Sequence, residues 1–200
     1  APIPFSGAVR GESLNLAFDI GQAGKTINMS GTLMGMSIKK QKDANSLREV
    51  NLTSFELDES EETNKYSEVL KSFTSNLDHE LVHYVTEIAH LLPWYQANMG
   101  GRIDENLKKQ MIMTELVGPH SIVKSSKYEI GIFLQFPNVD YPARRHPAEE
   151  TFFTLSGKSF WKLENDDEVE KRVGEYIHHP SMSSHSNRTT DSHLIASWRW

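Results

Sequence analysis

The sequence predicts a mostly β protein: a small antiparallel barrel or sandwich behind an N-terminal extension that contains helices. Three observations predict this. After residue 118, short runs rich in aromatic and branched residues recur at fairly regular spacing, with turn residues between them. Between residues 65 and 92 the apolar positions step by three and four, the period of a helix. The 200 residues, 38% apolar and 24% charged, suffice for one core without staples, and the chain has no cysteine to make any.

Taken in order, the first 60 residues are mixed. LNLAFDI (14–20) reads as a strand, INMSGTLMGMSI (27–38) as strand or loop, and VNLTSFEL (50–57) as a weakly patterned strand. DESEET (58–63) is an acidic entry to a helix. Over 65–92, Leu70, Phe73, Leu77, Leu81, Tyr84, Ile88 and Leu92 share one helical stripe, which Pro93 ends. NMGGR (98–102) is a break, and DENLKKQMIMTEL (104–116) is a short helix or a helix running into a strand. The later strand-like runs are YEIGIFLQF (128–136), TFFTLSG (151–157), SFWKLE (159–164), GEYIHHP (174–180) and HLIASWRW (193–200). The expected division is an N-terminal extension, 1–112, whose helices pack on a β-barrel built from 113–200.

Composition removes several functions. A formal charge of −6 disfavours nucleic acid as a partner, because phosphate binding needs a basic surface. No apolar run reaches membrane-spanning length, so no membrane partner is expected. The lack of cysteine removes thiolate metal sites and cysteine nucleophiles and suits a reducing cytosol, so a cytoplasmic location is the expectation. With nine histidines available, any metal site must be built from imidazole and carboxylate.

Two places concentrate such groups. HELVH (79–83) has the zinc-protease pattern, in which two histidines four apart share a zinc and the glutamate is the general base. On a helical wheel, however, His79, His83 and His90 lie opposite the apolar stripe, and the downstream carboxylates Glu105 and Glu115 have no context that makes either a third ligand. The stretch reads as the solvated face of a supporting helix, with Leu81 and Tyr84 packing it on the barrel. The second place is YPARRHPAEETFFTLSG (141–157) together with GEYIHHPSMSSHSN (174–187). His146 and Glu150 stand four apart with a glycine seven residues on at Gly157, and Gly174 leads by six residues to Pro180, with His185 five further. Two imidazoles and one carboxylate suit a divalent first-row metal and leave positions open for water or substrate.

These segments resemble the two motifs of the cupin superfamily. ELVGP (115–119), the run from Gly131 to Gly157, GEYIHHPSMSSH (174–185) and SWRW (197–200) are similar to one branch, the cupin-type dimethylsulfoniopropionate lyases. The likeness covers 113–200 well, extends to LLPWYQ (91–96), and owes little to the first 60 residues. It implies a cupin-type, jelly-roll-like β-barrel holding one divalent transition metal (zinc, iron or manganese) on His146, Glu150 and His185. It also implies a small sulfonium carboxylate as substrate and β-elimination to dimethyl sulfide and acrylate. The sequence leaves the oligomeric state open, a homodimer included.

Two departures bear on that reading. The usual HxH is RRH, so Arg144 stands at the first histidine position, and Phe152 stands where the branch has a tyrosine near the metal. Alternation along a strand keeps Arg144 with His146, and Phe152 with Glu150, on the pocket side. Arg144 either clamps a substrate carboxylate or pairs with Glu149 or Asp140 at the rim. With Phe152 unable to take a proton, Tyr141 is the candidate base, its phenol acidified by the metal. Trp94, Tyr95, Tyr141 and Trp161 are candidates for an aromatic wall around a sulfonium. Of His178 and His179, one is expected to pack and the other to be exposed. Three alternatives stay open: a cupin of this branch with a different or lost activity, a non-catalytic metal-stabilised binding module, and, remotely, an HExxH protease.

Overall fold

The computed structural model describes residues 5–10, 13–19, 26–32, 48–49, 61–75, 78–97, 103–119, 121 and 123–200, with side chains from residue 65 onward. Strands β1 (Phe5–Arg10), β2 (Ser13–Asp19), β3 (Thr26–Thr32) and β4 (Arg48–Glu49) form an antiparallel sheet of order β3-β2-β1-β4. The first part of the chain is thus sheet as well as helix. The expected strand over 50–57, the stripe position Leu77 and the break at 98–102 lie outside the described residues.

The single helix expected over 65–92 is two. Helix α1 (Glu61–Phe73) and helix α2 (Glu80–Ile88) are separate, and a 3-10 turn, Ala89–Leu91, extends the second. The reason is a cap. His79 is not inside the helix but at its N-cap, with Nδ1 accepting from the Leu81 N–H at 3.3 Å. The His79 backbone N–H goes to the Leu155 carbonyl at 2.9 Å, so α2 starts where the barrel sheet holds it. Restarting the helix resets its phase. Val82, Val85 and Ile88 are buried, whereas Tyr84 is 36% exposed. The expectation that Tyr84 packs the helix is therefore corrected; Leu81 does pack against the core, half-buried.

Beyond the helices come β5 (Tyr95–Gln96), the short helix α3 (Glu105–Lys108) capped by Asp104, β6 (Met111–Gly118), β7 (Val123–Lys124) and β8 (Ile130–Gln135). The rest is β9 (Asp140–Arg144), β10 (Glu150–Leu163), β11 (Val169–Arg172), β12 (Tyr176–His179), β13 (His185–Arg188) and β14 (Leu194–Arg199). Their main path is β5-β6-β8-β14-β10-β13-β9, antiparallel throughout, with β11 and β12 on β10 and β7 parallel to β6. The fold is mostly β, a curled antiparallel sheet. No helix among the described residues is long and apolar enough to cross a membrane.

Strand β10 makes the curl. Its first half pairs with β12 and β14 and its second half with β11 and β13. The sequence reads as two strands here, 151–157 and 159–164; the structure joins them through a bulge at Thr154/Ser156. Gly157 sits there at φ +73°, where an added Cβ would lie 1.9 Å from the His193 carbonyl oxygen, so only glycine fits.

Alternation along the strands divides the apolar side chains between two cores. Ile112, Ile132, Leu134, Leu155 and Ile195 pack beneath the helices against Leu70, Val85 and Ile88. Met111, Phe133, Leu194, Ala196 and Trp198 turn the other way, toward Tyr141, Phe152 and Trp161. The first core anchors the helices and the second backs the site. Truncating fully buried Ile88 to alanine should cost about 2–5 kcal/mol, whereas Tyr84→Ala should stay within about 0.5 kcal/mol. Urea unfolding of the two variants measures both, and comparable losses would mean that the helix face has been misassigned.

Candidate metal centre

Four segments converge at one end of the second core. Glu150 opens β10, and its Cα is the register partner of His179 at the end of β12. His185 opens β13, paired with Leu163 on one side and with Arg144 on the other. His146 lies in the turn after β9. That turn is tied to the loop before β13, because the Met182 N–H donates to the His146 carbonyl at 2.8 Å and the Ser181 hydroxyl to the Pro147 carbonyl at 2.6 Å. Residues far apart in sequence are thereby fixed together by backbone.

The imidazoles are oriented through their far nitrogens. His146 Nδ1 lies 2.9 Å from the Ala148 carbonyl and His185 Nδ1 2.9 Å from the Ser183 carbonyl. A carbonyl only accepts, so each Nδ1 carries the proton and each Nε2 presents a lone pair. Both Nε2 atoms are buried with no hydrogen-bond partner, and they stand 3.5 Å (His146) and 3.3 Å (His185) from Glu150 Oε2. Those separations are long for a charge-assisted hydrogen bond. They match the spacing of about 3.4 Å between two ligands on one tetrahedral metal with bonds near 2.1 Å. The ligand atoms of His146, Glu150 and His185 all lie within 4.8 Å of one another, and among the described residues no other such group occurs. This donor set fits a divalent transition metal.

The other carboxylate oxygen is held separately. The Trp200 indole N–H donates to Glu150 Oε1 at 2.6 Å, and the Trp200 ring tilts over His146 at 5.0 Å. His179 is fully buried, stacks parallel on His185 at 4.1 Å, and places Nδ1 3.4 Å from Glu150 Oε2. Burial alone would push the Glu150 carboxyl upward. Contacts with His146, His179 and His185, with the Arg144 charge added, outweigh that and hold it well below the usual carboxylate range. The contact with Glu150 raises His146 above its ordinary value, against its partial burial. Burial lowers His179 to about 4, which keeps its ring neutral.

The RRH departure has a structural counterpart. Arg144 is 8% exposed, its guanidinium lies 3.6 Å over the Tyr141 ring, and neither Nη1 nor Nη2 has a hydrogen-bond partner. The rim pairing with Glu149 or Asp140 does not form. Phe152 and Trp161 pack 4.8 Å apart beside His179. Burial raises the Tyr141 phenol, with Arg144 pulling the other way. Trp94 and Tyr95 are not brought to this cluster. Trp94 belongs to the core beneath the helices and gives its indole N–H to the Ala89 carbonyl, and Tyr95 is 43% exposed. The HELVH residues also lie elsewhere: His79 is a helix cap whose ring edge meets Phe153, and Glu80 is exposed. Sequence reasoning missed Trp200, and it weighed His179 only as one member of a histidine pair. The signal for His179 was its place before Pro180, opposite the start of TFFTLSG in a hairpin.

A family model described as dimethylsulfoniopropionate lyase matches residues 45–196. The chain belongs to this family. A curated relative, the dimethylsulfoniopropionate lyase DddQ of Ruegeria pomeroyi, is 25% identical over 107 residues, 54% of this chain and 53% of the relative. The chain thus spans about half the length of the curated relative it matches. The crystal structure of DddQ from Ruegeria pomeroyi DSS-3 superposes with a TM-score of 0.62 at 20% identity, covering 75% of this chain and 74% of that one. A structure described as the DMSP lyases RdDddP and RnDddQII gives 0.58 at 19% identity, covering 66% and 71%. At such identities the superpositions establish the fold.

Two predictions concern this dimethylsulfoniopropionate-lyase-family centre. His185→Ala should lose stoichiometric metal by elemental analysis while His83→Ala keeps it; unchanged metal in His185→Ala would remove His185 from the ligand set. Metal needs unprotonated imidazole. As pH falls through the raised His146 range, a proton takes Nε2, so the metal affinity should be full above that range and decline already above the ordinary value of 6.5. A chelator-competition titration from pH 8 to about pH 5 measures the decline.

Proposed function

We propose that this chain catalyses β-elimination of dimethylsulfoniopropionate to dimethyl sulfide and acrylate, using one divalent transition metal (zinc, iron or manganese) held by His146, Glu150 and His185. Membership of the family supports the reaction class. The observation that carries the reading is Arg144, a buried cation with two unpartnered N–H edges beside the imidazole and carboxylate cluster. A buried guanidinium without an anion is costly, and a substrate carboxylate supplies the anion in bidentate geometry. When bound, the metal supplies Lewis-acid polarisation of the substrate carboxylate, which acidifies the adjacent carbon.

The remaining work falls to side chains. Arg144 orients the carboxylate and repels the sulfonium, which turns away from it. Tyr141 Oη takes the α-proton; the C–H electron pair becomes the C=C bond, and the Cβ–S pair leaves with sulfur. Burial raises the Tyr141 phenol and Arg144 over its ring offsets only part of that, so acidification by a bound metal would have to complete its activation as a base. The second core packs behind the cluster and keeps water from that side.

A second reading, a cupin of this branch acting on a different acid, is favoured by Phe152, which can neither bind metal nor accept a proton. Gas chromatography of the headspace, with zinc, manganese and iron supplied in turn, separates the two. Dimethyl sulfide above a boiled control supports the lyase; none from metal-loaded protein selects the second reading. Tyr141→Phe should lower kcat by about 10²–10⁴-fold. Arg144→Met should chiefly raise KM without loss of metal, and an unchanged KM would end its role as carboxylate anchor.

A further inference from the structure

We infer that His179 is a fourth protein ligand of the metal, bound through Nδ1. The inference rests on the metal site assigned above but not on its reaction. Three imidazole nitrogens, from His146, His185 and His179, surround a single oxygen, Glu150 Oε2, at 3.5, 3.3 and 3.4 Å. Each separation is that of neighbouring ligands on one ion. The positions are built rather than incidental. Glu150 and His179 are direct register partners on β10 and β12, so their side chains leave the sheet together. His179 and His185 stack with their planes 9° apart and centroids 4.1 Å apart, so an ion in the plane of the His185 ring lies outside that of His179, and ligation by His179 requires its ring to turn out of the stack.

His179 is also confined. It is fully buried, with Phe152 and Trp161 against its ring. Its Nδ1 faces the Glu150 carboxylate, which only accepts, so Nδ1 carries the proton in the metal-free protein; its Nε2 has no protein partner, and metal binding would move the proton there and leave the Nδ1 lone pair for the ion. At present Nδ1 reaches the tight group only through Glu150, and a turn of the ring completes the set. Arg144 occupies the neighbouring strand position opposite His185, where it supplies no lone pair. Four protein ligands, from three strands and one turn, would then hold the ion.

The test counts ligands. Protein stripped of metal is loaded with one equivalent of Cu²⁺, and pulsed electron paramagnetic resonance counts coordinated imidazoles. Co²⁺ affinity and its visible absorption are measured in parallel. Three imidazoles in wild type and two in His179→Gln support the proposal, with Co²⁺ affinity falling about 100-fold or more and the absorption bands shifting. Two imidazoles in wild type, or an unchanged Co²⁺ spectrum in His179→Gln, overturn it and leave His179 as a group that merely steadies Glu150. The wild-type count needs no variant, so a misfolded substitution does not blunt the test; far-ultraviolet circular dichroism of the metal-free variant checks folding. Exposed His178→Gln is the control and should change nothing. Failure of wild type to bind either ion overturns this proposal and the site together. Metal-loaded protein that makes no dimethyl sulfide but shows three imidazoles overturns only the reaction.

Discussion

A buried carboxylate sets the terms for this end of the molecule. Glu150 is 4% exposed, and taking an ionised carboxylate out of water costs several kcal/mol unless matched. The matching groups come from every neighbouring segment: an indole N–H on one oxygen, the Arg144 charge nearby, and three imidazoles around the other oxygen, which match its charge only when protonated or when they share a metal cation with it. Meeting that demand requires the turn after β9, the ends of β12 and β13 and the last residues after β14 to meet at one point. The loop hydrogen bonds at Met182 and Ser181 and the bend of β10 are the means by which they do.

The two cores serve this centre differently. The core beneath the helices is apolar and holds α1 and α2 on the sheet, and its contribution is stability. The other core carries unpartnered polar atoms at its edge, on Arg144, His146, His179 and His185. Buried polar groups in a folded protein normally find partners. A cluster of orphans at one place is where a metal and an anion would supply what the chain omits.

Legibility followed the range of the interactions. His146, Glu150 and His185 were readable because their spacing repeats a motif set by local strand and turn geometry. The aromatic runs gave most of the barrel strands, since side chains with strand propensity also fill the core. The polar strands β9, β11 and β13 were not readable, because pairing with β10 makes them strands and their own residues do not. The packing role expected for Tyr84 failed for a related reason: wheel phase assumes one helix, and the cap at His79 starts a new one. Trp94 and Tyr95, named for their chemistry alone, sit outside the cluster.

By itself the sequence determined the fold class, the donor types available for a metal, and the substitution of arginine and phenylalanine at two motif positions. Those depend on composition and short-range spacing, which the linear chain carries. Tertiary structure decided that Arg144 is buried over Tyr141 instead of paired at the rim, that Trp200 grips Glu150, and that His179 rather than His178 turns inward. Each depends on strand register, and register is settled only when distant segments pair: a shift of one residue in β12 would send His178 to Glu150 and His179 to solvent.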